Sequence, residues 1–329
     1  MLRVLLFIFL SGTALAAPRT SLESLKIIYL LDVTQSMVGY KGKTPDIFDD
    51  VRSKLINSIS HLGSDNIEIS LVIFTHKIQA TIDAKSNRKG KEKLIDFLEK
   101  LSPYDYPPKT TNLDAALRKG QELINPAKTN VIFLLTDGKH TNTNPSKNDF
   151  YNEIDNWSGS ARGKNQFAYL VELTNKAADD KLRSKISAAS NFDVISGIEF
   201  TLFKPKRSYF IVNLLEPNKL SFKYELEAIN GGADISNIKL PVEFESKDPR
   251  FNIEIVSQKG TVFDLKLVPK NNIDELKKSL DEELDLSVKV NYNESSYPNI
   301  KLLDKPLKIL IKNKKERILY INPIPITSN

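Results

Sequence analysis

Asp32-Val33-Thr34-Gln35-Ser36 places a carboxylate and two hydroxyls at alternate positions, directly after an apolar run at residues 27–31. Thr136-Asp137-Gly138 follows a second such run at residues 131–135. Between them, Thr110-Thr111-Asn112-Leu113-Asp114-Ala115-Ala116-Leu117 opens a helical pattern with a capping threonine. Hydroxyl and carboxylate oxygens with no nitrogen or sulfur donor among them suit a hard cation, Mg²⁺ first and Mn²⁺ or Ca²⁺ as the other choices. Taken singly, the same residues also read as polar strand ends, a turn and a helix cap. What joins them is the kind of element that must hold each one.

Residues 24–203 alternate apolar runs of strand length with stretches of helical period, which predicts an α/β domain with a doubly wound, mostly parallel sheet. The runs at 27–31, 131–135 and 167–171 are continuous, as strands buried on both faces are. Ile47, Val51, Leu55, Ile59 and Leu62 recur at helical spacing and predict a helix over 45–62. Three more helices are expected around Leu94 to Leu101, Leu113 to Ile124 and Leu182 to Ala189. Residues 67–74 and 77–82 are both strand-like with almost nothing between them, so they must pair as one antiparallel hairpin at the sheet edge. Asp32 and Asp137 then share the carboxyl edge of the sheet, where open α/β sheets bind ligands.

Beyond Phe203 the helical period nearly vanishes and short strand-like segments follow one another, eight in all up to 317–321. That pattern predicts an all-β, sandwich-like domain over 208–329, with residues 272–283 as a helical crossing between its sheets. The basic stretch 204–207 is the expected linker, and residues 206–329 are expected to fold independently.

The first sixteen residues carry Arg3, an apolar run at 4–10 and small residues at Ala14 and Ala16, the pattern of a signal peptide at 1–16. The expected location is the periplasm or the cell exterior. No later apolar stretch approaches the roughly 20 residues of a membrane helix, so no transmembrane anchor is expected. There are no cysteines, which removes disulfide frameworks, thiolate metal sites and cysteine nucleophiles together. A net charge of +6 over 329 residues, with both signs interleaved, is no nucleic-acid footprint.

The order Asp32-x-Thr34-x-Ser36, then Thr111 in a Thr-Asn-Leu-x-x-Ala-Leu segment, then Thr136-Asp137-Gly138 after a buried strand resembles a von Willebrand factor type A domain. The edge hairpin stands where that family has one, and the resemblance covers about residues 24–203. It implies a metal-ion-dependent adhesion site with Asp32, Thr34, Ser36, Thr111 and Asp137 as ligands. Thr34 replaces the usual serine and keeps the hydroxyl. The three hydroxyls would bind directly and the two aspartates through water, leaving an ion that favours an Asp or Glu side chain of a protein partner. The implied function is non-catalytic binding. A second reading is a haloacid-dehalogenase-like phosphohydrolase with Asp32 as nucleophile, although the acid that chemistry needs two residues later is Thr34. A third makes the β-rich half the binding protein and the metal domain its accessory. His61, His76 and His140 are expected at a helix end, in the hairpin turn and in a loop. Trp157 and residues 104–109 are expected in loops that line the binding face.

Overall fold

The computed structural model describes residues 24–38, 47–63, 66–106, 110–138, 141, 147–161, 164–174, 177–198, 200–216, 220–229, 239–294, 297 and 299–314. The expected signal peptide, His140 and the expected strand at 317–321 lie outside them.

The first half runs β1 (Leu25–Asp32), α1 (Phe48–Ser60), β2 (Glu68–Phe74), β3 (Ile78–Lys85), α2 (Arg88–Lys100), α3 (Leu113–Glu122), β4 (Thr129–Thr136), α4 (Lys147–Ala161), β5 (Gln166–Glu172), α5 (Asp180–Ala188) and β6 (Phe192–Ser196). Its six strands lie in the order β3-β2-β1-β4-β5-β6. All neighbours are parallel except β2 and β3, which form the expected antiparallel edge hairpin. The winding leaves β1 toward β2 on one side and resumes at β4 on the other, so the sheet changes direction between β1 and β4. At such a switch point the connections diverge and open a crevice above the strand ends.

Alternate residues of β1 face opposite layers. Ile27, Tyr29 and Leu31 pack with α1 and α2, whereas Ile28 and Leu30 pack with α3, α4 and α5. Burial on both faces explains why β1, β4 and β5 read as unbroken apolar runs. Gly120 sets how closely α3 approaches: a β-carbon there would stand 3.1 Å from Ile132 Cδ1 and 3.2 Å from Leu30 Cδ1. A bare glycine therefore lets α3 lie low on β1 and β4, with its N-terminus above their ends.

α4 is a correction to the sequence reading. Trp157, expected in a binding loop, is fully buried on this helix, in one apolar layer with Phe150 and Ile154. The three recur at i, i+4 and i+7, but the Asn, Asp, Ser and Gly residues among them are weak helix formers and mask the period. β6 was also not anticipated.

The second half comprises β7 (Thr201–Pro205), β8 (Tyr209–Asn213), β9 (Ser221–Ala228), β10 (Val242–Ser246), β11 (Phe251–Lys259), β12 (Val262–Pro269), α6 (Ile273–Ser279), β13 (Glu283–Tyr292), β14 (Ile300–Leu302) and β15 (Leu307–Lys312). They form a four-stranded sheet, β10-β13-β15-β8, and a five-stranded sheet, β11-β12-β9-β7-β14. One apolar core lies between the two, drawing Leu286, Val288, Leu307 and Ile309 from the first sheet and Tyr224, Phe263, Leu265 and Leu267 from the second. α6 connects a strand of one sheet to a strand of the other, as its helical period predicted.

The expected linker is corrected in part, because Lys204 and Pro205 belong to β7, opposite Glu227 and Leu226 of β9. The basic run looked like solvated linker, yet Lys204 is buried and paired with Glu227, and Lys206 pairs with Glu225. Partners on β9, far along the chain, neutralise both charges.

The halves also share a core. Tyr29, Phe133 and Tyr169 stack across the sheet face, with ring centroids 5.5 Å and 5.7 Å apart. Phe200 packs on Phe133 at 5.5 Å. Leu202, Ile229 and Leu303 from the β-rich half are buried in the same cluster. Lys301 of β14 reaches Asp193 of β6 at 3.3 Å.

Candidate metal centre

Asp32 is the last residue of β1 and is wholly buried. Its Oδ1 accepts the Thr34 N–H at 2.9 Å, and its Oδ2 accepts the Thr136 hydroxyl at 2.6 Å. The first bond closes a tight turn that brings Thr34 and Ser36 back over the strand end, where Gln35–Val38 continue as a 3₁₀ helix. Thr136 is the last residue of β4, and its hydroxyl also accepts the Gly138 N–H at 3.2 Å. Asp137 therefore leaves the sheet beside Asp32.

All five residues expected at the site lie together. Ser36 Oγ donates to Asp137 Oδ1 at 3.0 Å and stands 3.1 Å from Thr34 Oγ1. Thr111 Oγ1 donates to Thr34 Oγ1 at 3.4 Å. The hydroxyl protons can thus run in one direction, from Thr111 through Thr34 and Ser36 to Asp137. A β-carbon on Gly138 would stand 3.8 Å from both Ser36 Oγ and Thr111 Oγ1, so that glycine borders the same space.

Thr111 does not cap α3, contrary to the sequence expectation of a capping threonine. Asn112 is the cap, its side-chain oxygen accepting the Ala115 N–H at 3.0 Å. The Thr111 hydroxyl is thereby left to face Thr34. Its backbone is clamped on both sides by Thr141, whose Oγ1 accepts the Thr111 N–H at 2.9 Å and whose N–H donates to Thr111 O at 3.0 Å. Asn112 also ties the segment to the β2–β3 turn, through Thr75 O at 2.9 Å and His76 O at 3.2 Å. His61 ends α1, its Nδ1 2.8 Å from Asn57 O, far from this chemistry in role. Thr136, Thr141 and Asn112 were not assigned these roles from sequence. Only Thr136 carried a signal, as a hydroxyl at the end of a buried strand beside Asp137.

Electrostatically the site is under-charged on the positive side. Burial, followed by the neighbouring Asp137 charge, pushes the Asp32 carboxyl up to about 7, against the lowering effect of its bonds to Thr136 and Thr34. Burial likewise raises Asp137. A divalent cation is the counter-charge such a pair lacks, and the oxygen-only donor set fits a hard one. Among the described residues, no cluster of three or more His, Cys, Asp or Glu side chains converges. Among these residues the oxygens that converge are mainly hydroxyls.

Residues 27–140 match the model of the von Willebrand factor type A domain family, a span that contains all five site residues. No curated protein matches the chain. Similar solved structures include a von Willebrand factor type A protein from Catenulispora acidiphila, 11% identical, covering 88% of this chain and 67% of that one at a TM-score of 0.41. Proximal thread matrix protein 1 from the mussel byssus, with a zinc-occupied MIDAS motif, is 15% identical over 54% of this chain and 42% of its own, at 0.40. An aerotolerance-related membrane protein from Bacteroides fragilis is 17% identical over 53% of this chain and 90% of its own, at 0.38. The chain thus spans about two fifths of the length of the mussel protein. The matched span runs from β1 through β4 and takes in the edge hairpin, so the likeness to the von Willebrand factor type A family lies in the α/β half.

Proposed function

We propose that Asp32, Thr34, Ser36, Thr111 and Asp137 hold a divalent cation, Mg²⁺ first, and that through it the protein binds an Asp or Glu carboxylate of a protein partner. Domains of this family are in general adhesion or interaction modules. The observation that carries the reading is the string of three hydroxyls joined to Asp137 beside a buried carboxyl pushed up to about 7. Thr34, Ser36 and Thr111 would contribute neutral oxygens directly, with Asp32 and Asp137 acting through water. A cation so held supplies a Lewis-acidic position for an incoming carboxylate oxygen. Thr136 and Thr141 keep Asp32 and Thr111 oriented for it.

Catalysis by Asp32 is disfavoured by the same geometry. A phosphotransfer nucleophile needs an accessible oxygen, whereas Asp32 is fully buried with one oxygen bonded to Thr34 and the other to Thr136. The leaving-group acid expected two residues later is a threonine in the hydroxyl string.

Two measurements on the purified protein test this. Titration calorimetry should show Mg²⁺ or Mn²⁺ binding to the wild type and a loss of about tenfold or more in Asp137→Ala, with an unchanged circular dichroism spectrum. Hydrolysis of a generic phosphate ester should be absent in both. Metal-dependent hydrolysis that vanishes in Asp32→Asn would reverse the reading in favour of a phosphohydrolase.

Export belongs to the same proposal and rests on residues 1–16. Among the described residues no helix is long and apolar enough to cross a membrane. N-terminal sequencing of exported material should begin at or near Ala17; retention of Met1 would remove the periplasmic or extracellular assignment.

A further inference from the structure

Tyr104 is the most exposed large hydrophobic side chain among the described residues, at 78%. It stands on a short 3₁₀ turn, Pro103–Asp105, that is fixed from several directions. Ser102 caps the turn, its Oγ accepting the Tyr104 N–H at 3.3 Å and its carbonyl the Asp105 N–H at 3.1 Å. Pro103 restricts the backbone at the first position. Arg52 of α1 holds Leu101 O at 3.2 Å on one side, and Tyr106 packs against the apolar core on the other. Some α-carbons of this turn come within 8 Å of those of Gln35–Val38, the turn that carries Ser36 of the candidate metal centre. The fold therefore presents an aromatic ring to solvent beside the cation site on a backbone already ordered.

An exposed aromatic is a poor choice for a solvated turn and a good one for an interface. It offers large contact area with few rotatable bonds, so little entropy is lost on binding. Asp105 and Tyr106 continue from it into a recess of about 340 Å³ that Ile82, Phe97 and Leu101 also line. Asp105 is exposed and would repel a second carboxylate at that place. The two turns are close enough for one extended peptide segment to span both.

We infer that Tyr104 is a specificity-determining contact of the metal-dependent binding face. The partner segment then carries an aromatic or aliphatic side chain near in sequence to the Asp or Glu that reaches the cation. This rests on the cation-dependent reading of the site and adds the chemistry of the partner to it.

The test uses a random heptapeptide display library, panned on the full chain in Mg²⁺ and eluted with EDTA. Wild-type protein should select peptides with Asp or Glu and a nearby aromatic or aliphatic residue. Tyr104→Ala should still select Asp or Glu but lose the apolar enrichment. A synthetic copy of the leading wild-type peptide should bind Tyr104→Ala about tenfold or more weakly, and Tyr104→Phe within about threefold of wild type. Mg²⁺ titration should be the same for all three proteins, which separates partner contact from damage to the metal centre. Acidic peptides without apolar enrichment, or equal peptide affinity for wild type and Tyr104→Ala, would overturn the role of Tyr104 and leave the cation reading standing. Failure to elute any acidic peptide with EDTA would remove both.

Discussion

Without divalent cations, raising the pH from about 4 to about 7 is expected to lower the melting temperature of this protein, and Mg²⁺ or Mn²⁺ is expected to restore it at high pH only. The cause is Asp32, whose carboxyl goes from an ordinary value of 3.8 to about 7 on burial beside Asp137. Between those values the folded chain keeps a proton that the unfolded chain has released. Stability from this group is therefore fully present below about 4 and is lost as the pH rises through about 7. At ~1.4 kcal/mol per pH unit the whole effect is on the order of 4 kcal/mol, a large part of a domain's net stability. Asp137 is raised by burial too and acts in the same direction. A cation at the site supplies the missing positive charge only when the carboxylates are ionised, so its stabilising effect must grow with pH.

Thermal melts at about pH 5 and pH 8, with EDTA or with excess Mg²⁺, check this. Other titrating groups also contribute, so the difference between wild type and Asp32→Asn isolates the effect. The variant should show a flatter pH dependence and a much smaller metal shift. An equal metal shift at both pH values in the wild type would mean that ionisation of the buried aspartate does not govern the site.

Dividing the chain at the apparent change of composition is expected to damage both halves. A fragment over 24–198 lacks Phe200, Leu202, Ile229 and Leu303, which pack with Tyr29, Phe133 and Tyr169. Uncovering side chains of that size costs about 1.5–3 kcal/mol each, and it leaves a contiguous apolar face that promotes association. A fragment over 206–329 lacks β7, which lies between β9 and β14 in the five-stranded sheet. Starting at residue 200 instead retains the strand and should recover cooperative unfolding. Size-exclusion chromatography and circular dichroism melts of the three fragments decide the matter. Within the full chain, Leu303→Ala should cost about 2–5 kcal/mol. A monomeric 24–198 fragment with a cooperative melt would show that the shared core is dispensable.

Most elements of the α/β half, and the residues in it that carry the chemistry, are legible in the order of residues alone, with α4 and β6 as the exceptions. Strands buried on both faces must be continuously apolar, so β1, β4 and β5 were legible, and so were the oxygen-bearing residues at the ends of β1 and β4. The edge hairpin followed from chain length, since no crossover fits between residues 74 and 78. The β-rich half is legible in its closely spaced short strand-like segments, of which β12 and β15 bury alternate residues.

Properties set by distant partners emerge only in the folded chain. Lys204 looked solvated until Glu227 was opposite it, and the period of Phe150, Ile154 and Trp157 emerged only once a sheet lay against α4. Sequence could supply Thr111 as an oxygen, but its freedom from capping α3 depends on Asn112 taking that place and on Thr141 holding its backbone. The rise of the Asp32 carboxyl toward 7 is likewise invisible in composition, because it arises from burial and from a charge 105 positions away in the chain. Local pattern fixes a residue's chemistry and its element, whereas desolvation and pairing are properties of the space the folded chain encloses.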